Sequence, residues 1–207
     1  IQPDIGKTLL VIFSWAILIF TSGINIYFLF AIFLLGSSLL VYLIIYVPKF
    51  DYIQGRIFSF FNRETGSHNF QSDKAIDSIT SGGFFGKGIG EGTLKNRVPE
   101  AHTDYIISVI SEEFGVFTIM LILLLFLILI YMVFKKIRFE NDDMIKLILI
   151  GSISLILMQA TIHIGVNIRL LPTTGMTLPF LSYGGSSIVS TSILAGIILN
   201  LTKRKIN

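Results

Sequence analysis

The chain has no cysteine. That absence removes disulfide frameworks, thiolate zinc sites and a cysteine nucleophile together. Charge is scarce as well: Asp, Glu, Lys and Arg make up 14% of the 207 residues against 53% hydrophobic, and mean hydropathy is +0.78. Soluble domains carry about 25% charged residues, so a soluble fold is excluded. The three histidines, His68, His102 and His163, lack metal-ligand spacing, which argues against a zinc site. A Ser-His-Asp order, a Walker loop and a nucleotide fingerprint are all missing. The net charge of +3 is too small for a nucleic-acid footprint.

What is present is gathered into apolar blocks that no amphipathic period explains. Nothing between Lys7 and Lys49 is charged, and as helix those 41 positions would be about 62 Å long, roughly twice a hydrocarbon core of about 30 Å. Two passes follow, with the break at Thr21-Ser22-Gly23-Ile24-Asn25, whose Gly and Asn suit a tight turn. The expected architecture is all-α, a polytopic transmembrane helix bundle of five spans at about 8–21, 26–47, 114–134, 147–166 and 182–202.

Basic residues orient the bundle. Lys135, Lys136, Arg138 and Lys146 join spans three and four, and Lys203, Arg204 and Lys205 follow span five. Parity puts both clusters on one face, which the positive-inside rule makes cytoplasmic, together with the C-terminus. The segment at about 48–104 and the loop before span five then face outward, as does Ile1. A chain that starts outside, without an initiator Met or signal peptide, reads as the C-terminal part of a longer protein.

The 48–104 segment is too long for an ordinary connection. Aromatics, balanced charge and a glycine ladder (Gly82, Gly83, Gly86, Gly88, Gly90, Gly92) separate it from a disordered linker, and stretches such as Arg56–Asn62 and Ser72–Ser81 could lie along the membrane interface. The ladder has two readings: a flexible re-entrant loop, or backbone amides that approach a phosphate.

At the end of that segment stands Asp104, a carboxylate where a bilayer makes one expensive. If a helix starts near Thr103, then Asp104, Ser108 and Glu112 share a face, with Asp104 and Glu112 roughly 12 Å apart along the axis. That is too far for a carboxylate couple acting on one glycosidic bond and favours a single base. The alternative makes Asp104 a charge at a helix N-terminus capped by Thr103, and Glu112 with Glu113 a structural pair. His102 could tune the carboxylate or bind substrate, whereas His163 reads as a satisfied polar residue inside a span. Arg169 could face a pyrophosphate or merely a loop carboxylate.

Several motifs resemble one family. They are the glycine ladder, Lys95, Pro99-Glu100-Ala101-His102-Thr103-Asp104-Tyr105, Glu112-Glu113-Phe114-Gly115, Gln159 and the run from Leu171 through Ser187 with its Ser182-Tyr183-Gly184-Gly185-Ser186-Ser187 end. Together with Gln2-Pro3-Asp4-Ile5-Gly6 they resemble the SEDS family (shape, elongation, division and sporulation) of FtsW and RodA over nearly the whole chain. Thr177 and Lys95 resemble the division-type branch more than the elongation-type. His163 stands where many members have Asn, Tyr105 replaces a common Phe, and Ile107-Ser108 replaces Phe-Ala.

The resemblance implies the last five of ten spans of an inner-membrane peptidoglycan glycosyltransferase that polymerises lipid II. It implies an inverting displacement with Asp104 as general base. Substrate contacts would fall on Lys95, Glu100, His102, Thr103, Glu112, Arg169, Ser182 and Tyr183. Charge on the leaving pyrophosphate would be met by Lys95, Arg97, Arg169 or a divalent cation such as Mg or Mn, with no cofactor required. The implied partners are a monofunctional transpeptidase (class B penicillin-binding protein) and other division proteins, with no nucleic acid. A lipid II flippase and a scaffold are the rival readings. A flippase needs polar residues through the bilayer midplane, and spans one and two carry no charge.

Overall fold

A computed structural model describes residues 5–61, 67–93 and 100–203. The described residues form seven α-helices and one 3₁₀ turn, without strands: α1 (Ile5–Thr21), α2 (Ile26–Tyr46), the turn Pro48–Phe50, α3 (Asp51–Phe61), α4 (Ser67–Gly82), α5 (Ile106–Phe139), α6 (Asp143–Asn167) and α7 (Gly185–Thr202). By length and apolar composition α2, α5, α6 and α7 can each cross a membrane, and α1 is a shorter apolar helix of the same kind. The chain is a multi-pass membrane protein.

Local chemistry sets the ends of these helices. Where α1 stops, Thr21 and Ser22 turn their hydroxyls onto the carbonyls of Ile17, Leu18 and Ile19, satisfying groups a helix end leaves open. Asn25 then caps α2, its side chain accepting the amide of Tyr27 at 3.0 Å. Asp142 caps α6 in the same way through Met144.

Helix α6 is the centre of the bundle and packs against α1, α4, α5 and α7. Its Leu149, Ile153 and Ile156 meet Val133 of α5 and Ile198 of α7 in one apolar cluster. Near the other end of α6, Ile162 and Val166 join Ala75, Ala101, Tyr105, Val109 and Met176. That second cluster ties the 48–105 connection to the loop that follows α6. Helix α2 has no buried residue and is apolar all round, the composition of a helix whose surroundings are themselves apolar.

Helix α5 is broken. Gly115 sits at φ 80°, ψ 178°, far from helical values, so Ile106–Phe114 forms a separate half-helix ahead of a span that runs from Val116 for roughly 36 Å. The apolar count alone begins the third span at about 114 and does not register this half-helix, because its Ser108, Ser111, Glu112 and Glu113 dilute the hydrophobic signal. The fifth span likewise begins later than counting suggests, at Gly185, since Ser182 and Tyr183 bond elsewhere.

Candidate functional site

Asp104 is displayed by a tight turn. The carbonyl of Glu100 accepts the amides of Thr103 at 3.1 Å and Asp104 at 3.0 Å, while the Thr103 hydroxyl reaches the Glu100 carboxylate at 2.9 Å. The helix start expected at Thr103 is corrected by this geometry: α5 begins at Ile106, and its N-cap is Tyr105, which supplies no side-chain cap bond. Thr103 is spent on Glu100, so it does not cap the helix. Asp104 is half-buried, and its Oδ2 stands 3.6 Å from the point that a Cβ on Gly175 would occupy.

Three consecutive carbonyls of this turn are held from the 167–183 segment. The Tyr183 amide donates to the carbonyl of His102 at 3.0 Å. The Ser182 hydroxyl donates to that of Thr103 at 2.7 Å while accepting the amide of Leu178 at 2.8 Å. The Asn167 side-chain amide donates to that of Asp104 at 3.0 Å. The side chains of Glu100, His102 and Tyr183 remain exposed beside this seam. Asn167 and Gly175 were not singled out from sequence. Asn167 was legible only as a polar residue four positions after His163 at the end of an apolar span.

The loop is anchored in turn by a polar stripe on α6. Gln159 donates to the Thr177 carbonyl at 2.8 Å, and the Thr177 hydroxyl bonds Ser187 at 2.7 Å. One turn on, His163 donates through Nδ1 to the Met176 carbonyl at 2.7 Å. His163 is thus a buried intramembrane residue serving the loop's backbone.

The 48–105 connection closes over the same loop. Arg56 of α3 donates to the Thr173 carbonyl at 2.7 Å, and Arg169 pairs with Asp73 of α4. The carboxylate open to Arg169 in the sequence reading is thus Asp73. Tyr105 is buried with its phenol 3.4 Å from the Ser72 hydroxyl. Burial pushes the phenol pKa up, the Ser72 contact pulls it down, and the neighbouring Asp104 charge adds to the rise.

Glu112 does not share the surroundings of Asp104. It is fully buried, and its Oε1 accepts the Lys87 ammonium at 3.2 Å and the Thr93 amide at 2.9 Å. The glycine ladder is wrapped around the break in α5. The amides of Lys87 and Gly88 donate to the carbonyls of Glu112 and Glu113, and the amides of Val116 and Phe117 return to those of Gly83 and Phe84. The amide of Gly90 bonds the Glu113 carboxylate at 3.2 Å. Amides used in this way are not offered to a phosphate, which removes that reading of the ladder for these positions. Close approach explains two glycines: a Cβ on Gly82 would lie 1.9 Å from the Ser111 carbonyl oxygen, and one on Gly115 would lie 2.2 Å from that of Phe84. Lys95 and Arg97 lie outside the described residues. Among the described residues, no three His, Asp or Glu side chains gather to hold a metal ion.

Comparison with known proteins adds to this geometry. The family model for the cell cycle proteins FtsW, RodA and SpoVE matches residues 1–207. A probable peptidoglycan glycosyltransferase FtsW of Caulobacter vibrioides is 35% identical over 206 residues, 99% of this chain and 52% of that protein. Stage V sporulation protein E of Bacillus subtilis is 35% identical over 205 residues, 98% of this chain and 55% of that protein. A solved structure, described as showing structural coordination of polymerization and crosslinking by a peptidoglycan synthase complex, shares the fold. It covers the whole chain and 58% of its own, with a TM-score of 0.75 at 24% identity. The chain thus spans about half the length of the curated relatives it matches. By a family match that runs from its first residue to its last, this chain belongs to the FtsW, RodA and SpoVE family of cell cycle proteins.

Proposed function

We propose that this chain forms the catalytic half of a peptidoglycan glycosyltransferase that polymerises lipid II during cell division, with Asp104 as its general base. The observation that carries the reading is the carboxylate's setting. Asp104 is half-buried on a turn whose carbonyls at 102, 103 and 104 are each fixed by a different residue, so the base is held before substrate arrives. Relatives named as probable peptidoglycan glycosyltransferases support the reaction class.

The reaction is a single displacement. The Asp104 carboxylate takes the proton of the acceptor GlcNAc 4-hydroxyl as that oxygen forms a bond to the anomeric carbon of the donor MurNAc. The bond from that carbon to pyrophosphate breaks on the opposite face, undecaprenyl pyrophosphate leaves, and α configuration becomes β. Positive charge for the leaving group would come from Lys95, Arg97 or Arg169, the last of which also pairs with Asp73. The 48–105 connection faces the outside and the C-terminus the cytoplasm, in line with the basic clusters at 135–146 and 203–205. A monofunctional transpeptidase and other division proteins are the partners of this reading.

The test is glycan-strand synthesis from purified lipid II by the full-length protein assembled with its transpeptidase. Asp104→Asn is expected to keep thermal stability and lipid binding and to lose polymerisation by about 10²-fold or more, the range of general-base removal. Asp104→Glu is expected to rescue little, because an added methylene moves the base by about 1 Å and displacement of that size costs about 10²-fold. Polymerisation at the wild-type rate by Asp104→Asn would leave Asp104 as a turn residue and return the flippase reading to contention.

A further inference from the structure

Asp104 lies between Thr93 and Glu112 in the sequence. Thr93 and Glu112 meet: the amide of Thr93 bonds Oε1 of Glu112 at 2.9 Å. The same oxygen receives the Lys87 ammonium at 3.2 Å, and Gly92 lies so close that a Cβ there would stand 3.0 Å from the Glu112 carboxylate. Glu112 is fully buried, whereas Lys87 is 35% exposed, so the carboxylate is enclosed by its partners and faces no open space where a substrate would lie. The neighbouring backbone is exchanged between the two strands of chain, as Lys87 and Gly88 donate to carbonyls that the break at Gly115 leaves without helical partners.

We propose that Glu112 is a positioning residue for Asp104: it ties the 87–93 segment to the half-helix that follows the turn and thereby sets where that turn stands. The proposal rests on the glycosyltransferase reading of Asp104. It replaces the expectation that Glu112 touches substrate. A buried carboxylate held by hydrogen-bonded partners, one of them a cation, is stable where it is and expensive to leave half-satisfied. Glu112 stands in the half-helix Ile106–Phe114, which is bonded to the turn through the amides of Ser108 and Val109 on the Tyr105 carbonyl, so a shift at Glu112 is carried into the turn that presents Asp104.

Two measurements on the full-length protein with its transpeptidase test this. In the first, hydrogen exchange read by mass spectrometry compares Glu112→Gln and Lys87→Met with wild type. Faster exchange is expected at amides 87–93 and also at the amides of Thr103 and Asp104, which touch neither substituted residue. In the second, lipid II polymerisation is expected to lose about 10-fold to 10²-fold in kcat at nearly unchanged KM, the pattern of a displaced base. The two substitutions together should cost no more than Glu112→Gln alone, since both open the same contact.

Exchange that rises only at 87–93, with wild-type kcat, would overturn the proposal and leave Glu112 a local fold residue. A lost kcat with wild-type exchange at 87–93 and at 103–104 would overturn it the other way and give Glu112 direct contact with substrate. Should Glu112→Gln fail to accumulate, Lys87→Met carries both measurements, because Lys87 lies at the surface and its ammonium holds the same oxygen that accepts the Thr93 amide. If the wild-type assembly does not polymerise lipid II, the glycosyltransferase reading fails while the exchange arm still reports whether Glu112 sets the turn.

Discussion

The hydroxyl of Ser182 donates to the carbonyl of Thr103 at 2.7 Å and accepts the amide of Leu178 at 2.8 Å, so one buried side chain joins two loops 79 residues apart. Ser182→Ala would leave the buried Leu178 amide and the partly buried Thr103 carbonyl without that partner. Loss of about 1–3 kcal/mol of stability is expected from the unpaired groups. Polymerisation should fall by about 10-fold or more, since the carbonyl released is next to Asp104 and small displacements of a base are costly. Thermal melting and the lipid II assay, run on the same preparation, check the pair; an unchanged melting temperature would remove Ser182 from the seam.

Gly115 tests the break in α5. At φ 80° a side chain is strained, by about 1–3 kcal/mol in general, and here a Cβ would also meet the Phe84 carbonyl oxygen at 2.2 Å. Gly115→Ala is therefore expected to lower folded yield and melting temperature sharply. Gly36→Ala, where a Cβ meets nothing within 4 Å, should be close to neutral. Equal stability of the two variants would mean that the break is not needed.

Tyr105 gives a pH prediction. Its phenol pKa is raised above 10.0 in the fold, chiefly by burial. The unfolded chain therefore ionises first as pH rises, and the neutral phenol's contribution, complete below pH 10, is lost between 10 and the higher folded value. Tyr105→Phe should flatten the alkaline limb of stability against pH. At neutral pH its cost should be small, since the contact with Ser72 is long at 3.4 Å. An alkaline limb identical in the two proteins would refute this.

Orientation is open to a direct measurement. A cysteine at Thr93, exposed near the end of the described part of the connection, should react with an impermeant maleimide added outside intact cells. A cysteine at Asn141, exposed between α5 and α6, should react only after permeabilisation. The chain has no native cysteine to interfere. Labelling of Asn141 from outside would put Asp104 on the wrong face for the proposed reaction.

Much of the bundle was legible because membrane helices announce themselves locally. The uncharged run from Thr8 to Pro48 is too long for one crossing, and Asn25 supplies a cap at its middle. The prominence of Asp104 was legible too, as a carboxylate at the mouth of a span. What was not legible depends on contacts between distant segments. Nothing near Arg169 names Asp73 as its partner. Thr103 has the chemistry of a helix cap, yet Glu100 takes its hydroxyl. Helical periodicity puts Asp104 and Glu112 on one face, but the turn at 100–105 takes Asp104 off the helix altogether. The glycine ladder carries a phosphate-loop spacing for a different reason, close passage of one backbone past another.

Gln159, His163 and Asn167 stand one turn apart on α6, and each ends on a different point of the chain around the site: Thr177, Met176 and Asp104. Such a row works like a rack. A slide of α6 by one residue, about 1.5 Å, would put all three bonds out of register together, whereas a tilt about its axis could spare one of them. Three bonds of one helix thus tie the axial register of α6 to the backbone around Asp104.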